Sequence, residues 1–324
     1  QEIAYLLQYP GFLKRDTFAK GRMEIVELRI DKTSKLCNVA LSDMNSIVNC
    51  RVLVCAVLRS GTAIAPKGNF ILREGDRIFV TASPHNLTNM LRSLGIITRR
   101  VRNVMLCGGG RVSYYPADML NRHGISVKLM EKNETRCREL SALLPEVTVI
   151  LGDGTDHAVL DSEGLAKTDA LVSLTGMDEL NMIMSLYGQS QGVPQVITKL
   201  GRMENHTIID ALALGSVVCP KELCCNNIVR YVRAMQNQTG AAVSVHRIAH
   251  GQVEAVEFLV DDTTLHCNTL LKDIRLKDNV LVVSITHGPK TEIPGGDAPF
   301  DVGDTIVVVT SGQGTLRQLN DIFA

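Results

Sequence analysis

Residues 21–44 (GRMEIVELRIDKTSKLCNVALSDM) recur without a gap at 251–274 (GQVEAVEFLVDDTTLHCNTLLKDI). Gly21/Gly251, Glu24/Glu254, Glu27/Glu257, Asp31/Asp261, Cys37/Cys267, Asn38/Asn268 and Asp43/Asp273 are identical pairs. After a two-residue shift the match resumes: Val52-Leu53-Val54 with Val280-Leu281-Val282, Pro66 and Gly68 with Pro294 and Gly296, Gly75-Asp76 with Gly303-Asp304. Order kept over roughly 60 residues marks a duplicated structural unit. Any fold of this chain must therefore build one small module twice.

Each copy reads as a small α+β domain. An opening strand leads to a short helix near Leu41 or Leu271, then to strands with alternating apolar faces. The Gly-Asp pair is expected to form a hairpin turn before the last strand, Arg77–Thr81 or Thr305–Val309. Terminal helices are expected at Leu87–Leu94 and Gly314–Phe323, and Pro66 and Pro294 suit rigid turns. Turn and capping roles account for the shared Asn38/Asn268 and Asp76/Asp304, and neither copy carries a catalytic constellation.

Strand and helix patterns alternate between the copies. Strands are predicted at 103–107, 125–130, 147–151, 169–174, 195–199 and 216–219, with helices at 112–122, 134–143, 156–163, 178–190 and 203–213. This spacing gives an α/β fold, a Rossmann-like doubly wound parallel sheet flanked by the two small α+β domains. A further helix, 221–236, leads into the second copy. Ligands of such sheets bind at the carboxyl ends of the strands, where the strand order reverses.

The first βα turn of this segment is Gly108-Gly109-Gly110-Arg111-Val112-Ser113. Gly108 permits a tight turn, Gly110 lets the backbone approach a pyrophosphate, and the following helix N-terminus supplies donors. Glu131 ends the next strand, about 20 residues on, where a carboxylate accepts from a ribose hydroxyl. Arg111 suits bidentate contact with phosphate oxygens. The pattern is also damaged. Ser113 replaces the third glycine, and Pro116 falls inside the helix, which is expected to start shifted or to kink.

Other strand ends add candidates. Lys132 reads as a 2′-phosphate contact or as an exposed lysine. Asp153, in Gly152-Asp153-Gly154-Thr155, reads equally as a ligand contact or a turn residue. Asp178, Glu179 and Asn181 open a helix after Thr175, where acids complement the dipole and cap, or touch ligand. Lys199 is balanced between ligand and surface.

Composition narrows the class. The chain is 45% hydrophobic and 21% charged with zero net charge, which argues against a nucleic-acid partner. No apolar run has the length of a membrane span. The nine cysteines form no CxxC pair and read as buried thiols in a reducing cytoplasm, Cys224 and Cys225 included. His246 and His250 are expected to share one face of a strand without a third metal ligand. Asp156 and His157 read as the start of a helix. Residues 1–9 resemble the last turns of an amphipathic helix stopped by Pro10-Gly11, which implies a segment upstream.

Taken together, LLQYPGF at Leu6–Phe12, the Gly108–Ser113 turn, Glu131, GDGT at Gly152–Thr155, TGMDELN at Thr175–Asn181 and the repeated P-x-G…G-D pattern resemble the RCK/KTN family of potassium-transport regulators. The resemblance spans essentially the whole chain. It implies 1–18 as the crossover helix and linker of a preceding nucleotide domain and 19–98 as a first C-type domain. It further implies 99–222 as an N-type Rossmann nucleotide domain, 223–240 as a crossover helix and linker, and 241–324 as a second C-type domain. It also implies a cytoplasmic subunit, peripheral at the inner face of the cell membrane. That subunit would form a homo-oligomer, dimer or tetramer, beneath a TrkH-like membrane potassium transporter and respond to NAD(H) or ATP/ADP. Carried over residue by residue, Gly108, Gly109, Gly110, Arg111 and Val112 would line the pyrophosphate, and Glu131 would hold the adenine-side ribose. Asp153, Gly154 and Thr155 would border the adenine, and Thr175 and Lys199 the far side. An enzyme is not expected. The alternative is an NAD-dependent oxidoreductase, but two copies of one small flanking module suit sensing or assembly better than one active site.

Overall fold

The computed structural model describes residues 2–9, 11–96, 100–202, 209, 212, 214–235, 242–311 and 316–324. It divides into two compact units, Gln1–Lys14 with Ile97–Glu222, and Arg15–Ile96 with Leu223–Ala324.

Helix α1 (Glu2–Gln8) belongs to the first unit and buries Ile3, Ala4, Leu6 and Leu7. The first repeat follows as β1 (Phe12–Phe18), a 3-10 turn (Ala19–Gly21), β2 (Met23–Arg29), α2 (Leu41–Val48), β3 (Leu53–Arg59), β4 (Thr62–Ile64), β5 (Arg77–Ala82) and α3 (Pro84–Ser93). Helix α3 starts where Ser83 accepts from the Asn86 amide and Pro84 occupies the first turn. The strands are ordered β1-β2-β5-β3-β4.

The Gly75-Asp76 pair closes no hairpin, because β3 lies between β4 and β5. Gly75 takes φ +87°, and the turn docks on the chain leaving β2: Gly75 N donates to Ile30 O, and Ile30 N to Asp76 O. The Asp76 carboxylate is 1% exposed and grips Arg59, accepting from Nε and Nη2 at 2.7 Å each. The repeated acid thus joins two chain segments, with His287 and Asp304 making the matching pair at 2.8 Å in the second copy.

The alternating segment forms the sheet of the first unit. It runs β6 (Asn103–Cys107), α4 (Arg111–Arg122), β7 (Ser126–Glu131), α5 (Glu134–Leu143), β8 (Thr148–Leu151), α6 (His157–Ser162), β9 (Ala170–Ser173), α7 (Asp178–Ser190), β10 (Gln195–Lys199) and β11 (Ser216–Val218). All pairings are parallel, in the order β8-β7-β6-β9-β10-β11. Strand order therefore reverses between β6 and β9. The helix expected at 203–213 lies outside the described residues except for Ile209 and Leu212. Helix α4 runs unbroken through the buried Pro116. Helix α8 (Pro220–Met235) follows.

The second repeat forms β12 (Ala242–Ile248), a 3-10 turn (Ala249–Gly251), β13 (Val253–Leu259), β14 (Val280–His287), β15 (Lys290–Glu292) and β16 (Thr305–Ser311). Its order, β12-β13-β16-β14-β15, repeats that of the first copy. Even the irregularities are shared. Register slips at Cys55 between β3 and β5, and at Val283 between β14 and β16. Asn38 and Asn268 have φ +64° and +61°, a left-handed backbone that asparagine tolerates well. That requirement accounts for the repeated asparagine.

The helices differ between copies. The short helix near Leu271 and the terminal helix of the second copy are replaced by 3-10 turns at Leu271–Asp273 and Leu319–Ile322, with residues 312–315 outside the description. The second copy has two fewer residues between this point and the next strand. Its chain instead runs extended into the Leu276–Phe323 bridge.

Two further expectations are corrected. Cys55, Cys107, Cys137 and Cys219 are buried, but Cys224 and Cys225 are exposed, on a solvent-facing part of α8 shared with Ile228 and Tyr231. All nine cysteines are free. His246 and His250 share no strand face, since β12 ends at Ile248 and His250 takes φ +57° in the following turn. Asp156 does cap α6, accepting from Ala158 N. Among the described residues, no helix is long and apolar enough to cross a membrane, and no cluster of metal-ligand type occurs.

Candidate functional site at the strand-order reversal

The turns after β6 and β9 meet where strand order reverses. Gly108 has φ +105°, and a Cβ there would lie 3.0 Å from Leu174 C and Thr175 N. Only glycine allows this approach. Gly109 is equally crowded: a Cβ would fall 2.7 Å from Leu140 Cδ1 and 2.9 Å from Glu131 Oε2. Gly110 is different. It caps α4 in an extended conformation, and a Cβ there would meet nothing within 4 Å. Open space therefore fronts the start of α4, where the first N–H groups of a helix lack intrahelical acceptors.

Glu131 closes one side. Its Oε2 accepts from Gly109 N at 2.6 Å and its Oε1 from Asn133 N at 2.8 Å. Two backbone donors fix the carboxylate beside the glycine turn, and each oxygen keeps a further lone pair for a hydroxyl. Arg136, in the first turn of α5, donates from Nε to Gly109 O at 2.8 Å. Ser113 is fully buried, and its hydroxyl donates to Gly108 O. The serine that replaces the third glycine thus stitches the turn to its helix.

The turn after β9 is held by Asn181. Its Oδ1 accepts from Thr175 N and Oγ1, both at 2.8 Å, and its Nδ2 donates to Lys199 O at 2.9 Å. Lys199 Nζ donates to Thr175 O at 2.5 Å, so its ammonium is tied to the β9 turn. Asp178 accepts from Gly201 N at 2.8 Å.

Beyond β8, Asp153 Oδ1 accepts from Thr155 N at 2.9 Å and Thr155 Oγ1 at 2.8 Å. The Thr155 amide and hydroxyl, helped by the Lys132 charge, hold the Asp153 carboxyl below the usual carboxylate range. A Cβ on Gly154 would sit 3.2 Å from Cys107 Sγ, so this loop packs onto the end of β6. Arg111, Val112 and Lys132 are exposed.

The structure thus gathers Gly108–Val112, Glu131 and Thr175 around the reversal point, ties Lys199 to Thr175, and brings Asp153–Thr155 against β6. Arg136 and Asn133 had no distinguishing signal in the sequence, being ordinary residues at the start of a helix. The residues present fit an adenine dinucleotide: the space before Gly110 would take a pyrophosphate and the fixed Glu131 carboxylate a ribose hydroxyl.

The TrkA-N domain model matches residues 104–220, and the TrkA-C domain model matches residues 25–95 and 255–324. The chain belongs to the TrkA family. The Trk system potassium uptake protein TrkA homolog of Archaeoglobus fulgidus is 29% identical over 324 residues, covering 100% of this chain and 71% of that protein. The Trk system potassium uptake protein TrkA of Haemophilus influenzae is 25% identical, covering 99% of this chain and 70% of its own. Among solved structures, the GsuK RCK domain aligns with TM-score 0.50 at 14% identity over 95% of this chain and 66% of that one. The GsuK channel bound to NAD aligns with the same score and identity over 96% of this chain and 56% of that one. These two share the fold. The TrkA-N match contains the whole constellation, from the Gly108 turn to Lys199, and each TrkA-C match falls on one repeat.

Proposed function

We propose that the chain is a nucleotide-responsive regulatory subunit of a Trk-type potassium uptake system. The Gly108–Val112 turn and Glu131 bind NAD(H), and ATP or ADP takes the same pyrophosphate and ribose positions. The observation that carries this reading is the open space at Gly110, beside a turn in which Gly109 packs on Glu131 and Gly108 on Thr175. The names of the TrkA relatives and the NAD held by the GsuK channel support it. In this reading the subunit works as a homo-oligomer, dimer or tetramer, in the cytoplasm at the inner face of the membrane. Nucleotide shifts the transporter by binding one arrangement of the assembly better than another.

Calorimetric titration with NADH, ATP and ADP tests the site. Saturable NADH binding near one per chain is expected, weakened at least about tenfold by Glu131→Ala. No saturable binding of any of the three overturns the proposal. Substrate-dependent NADH oxidation by the purified chain would mark it instead as an oxidoreductase.

A further inference from the structure

The two repeats meet within the second unit as near-equivalent halves. Arg22 donates to Gly288 O, and its counterpart Gln252 donates from Nε2 to Gly61 O at 2.6 Å. Asp16 Oδ1 meets His246 Nδ1 at 2.7 Å, and these two residues hold the same position in the two copies. The contact is therefore pseudo-twofold, as in an isologous dimer.

One departure from this symmetry leaves a cavity. On the first side, Arg77 opens β5 opposite Arg29, pairs through Nε with Glu27, and sets Nη1 3.1 Å from His250 Nε2. On the second side the register places Thr305 at the same point, opposite Leu259. Glu257 stands for Glu27, and Lys20 for His250. Threonine is too short to do what Arg77 does. A cavity of about 660 Å³ remains, lined by Glu257, Thr305, Lys20, Arg22, Ser244 and Thr286 among others. Its size suits a small molecule.

The charges in the cavity suggest which molecule. Glu257 accepts from Ala19 N at 2.8 Å and Ser244 Oγ at 2.9 Å, and it has no ion pair among the described residues. Its counterpart Glu27 is neutralised by a guanidinium. Lys20 is exposed at the rim and makes no hydrogen bond or ion pair among the described residues, while Arg22 adds a second cation. A simple cation would satisfy Glu257 but would face Lys20 and Arg22.

We propose that this cavity binds a small zwitterion of the amino-acid class, with a guanidinium or amine at one end and a carboxylate at the other. The cationic end takes the place on Glu257 that Arg77 takes on Glu27, and the carboxylate lies toward Lys20 and Arg22. Such a ligand is a second input, independent of the nucleotide turn. It acts on the contact between the repeats through any difference in affinity between their arrangements.

Calorimetry on the whole chain with L-arginine, from about 10 µM to 10 mM, tests this. One saturable site per chain is expected. Agmatine, which lacks the carboxylate, should bind at least about tenfold more weakly. Thr305→Arg inserts the side chain that the first repeat already holds, so it should fold with an unchanged melting temperature and lose binding. The exposed Lys20→Ala variant should narrow the difference between arginine and agmatine, since only Arg22 then faces the carboxylate. Absence of saturable arginine binding, equal binding of agmatine, or undiminished binding by folded Thr305→Arg would each overturn the proposal. If Thr305→Arg does not fold, the Lys20→Ala comparison decides.

Discussion

At the scale of single residues, three adjacent glycines do two different jobs. Gly108 and Gly109 are needed by the protein itself, because backbone or side-chain atoms occupy the space a Cβ would take. Gly110 has open space there. Gly110→Ala should therefore melt like the unsubstituted chain yet bind NADH at least about tenfold more weakly, since its methyl enters the proposed phosphate position. Gly109→Ala should be destabilised, by about 1–3 kcal/mol, as it drives Leu140 and Glu131 apart. Paired thermal melts and calorimetry would separate the two effects. Asp153 offers a pH test. Hydrogen bonds from Thr155 lower its pKa in the fold. Those bonds are thus fully present above the unfolded carboxyl range and are lost as pH falls through the depressed value. The Thr155 amide resonance should shift with a midpoint below that of an ordinary aspartate; an ordinary midpoint would show that the turn is not held this way.

At the scale of elements, periodicity revealed the strands of the parallel sheet, because β6, β7, β9 and β10 are largely buried apolar runs and the edge strand β8 is still an apolar run of strand length. It misjudged the helices of the second repeat. Leu271–Ile274 resembles Leu41–Met44, but helix length depends on how much chain is left to return to the sheet. Cysteine burial was legible in strands and, for Cys137, on the buried face of α5, but not on α8. Cys55 and Cys107 lie in sheet cores, where desolvation pushes each thiol up to about 12. Cys224 and Cys225 are exposed on α8. Under native conditions iodoacetamide should modify Cys224 and Cys225 and spare Cys55 and Cys107 until denaturant is added, as peptide mass spectrometry would show. Early labelling of Cys107 would mean that β6 opens readily.

At the scale of the molecule, duplication supplies the contact between repeats. The buried Asp16–His246 pair joins two equivalent positions, with side chains 8% and 5% exposed. Removing either partner alone should cost about 1–3 kcal/mol, because the buried hydrogen bond between them is lost. The double variant Asp16→Ala/His246→Ala should be less destabilised than the sum of the singles, by about 0.5–3 kcal/mol in urea denaturation. Strict additivity would show that the two residues act separately.

Sequence alone determined the doubled module, the strands between its copies, and the glycine turn with its acid. Each rests on local signals: repetition, apolar period, and backbone conformations that glycine or asparagine adopts at little cost. Only the tertiary structure decided which glycine faces open space, that Lys199 and Asn181 fasten the β9 turn, and that the repeats meet as near-equivalent halves. Those outcomes depend on atoms distant in the chain. The Arg77–Thr305 difference is one substitution among many in the sequence. It becomes a cavity only when folding sets Glu257 and Lys20 around it.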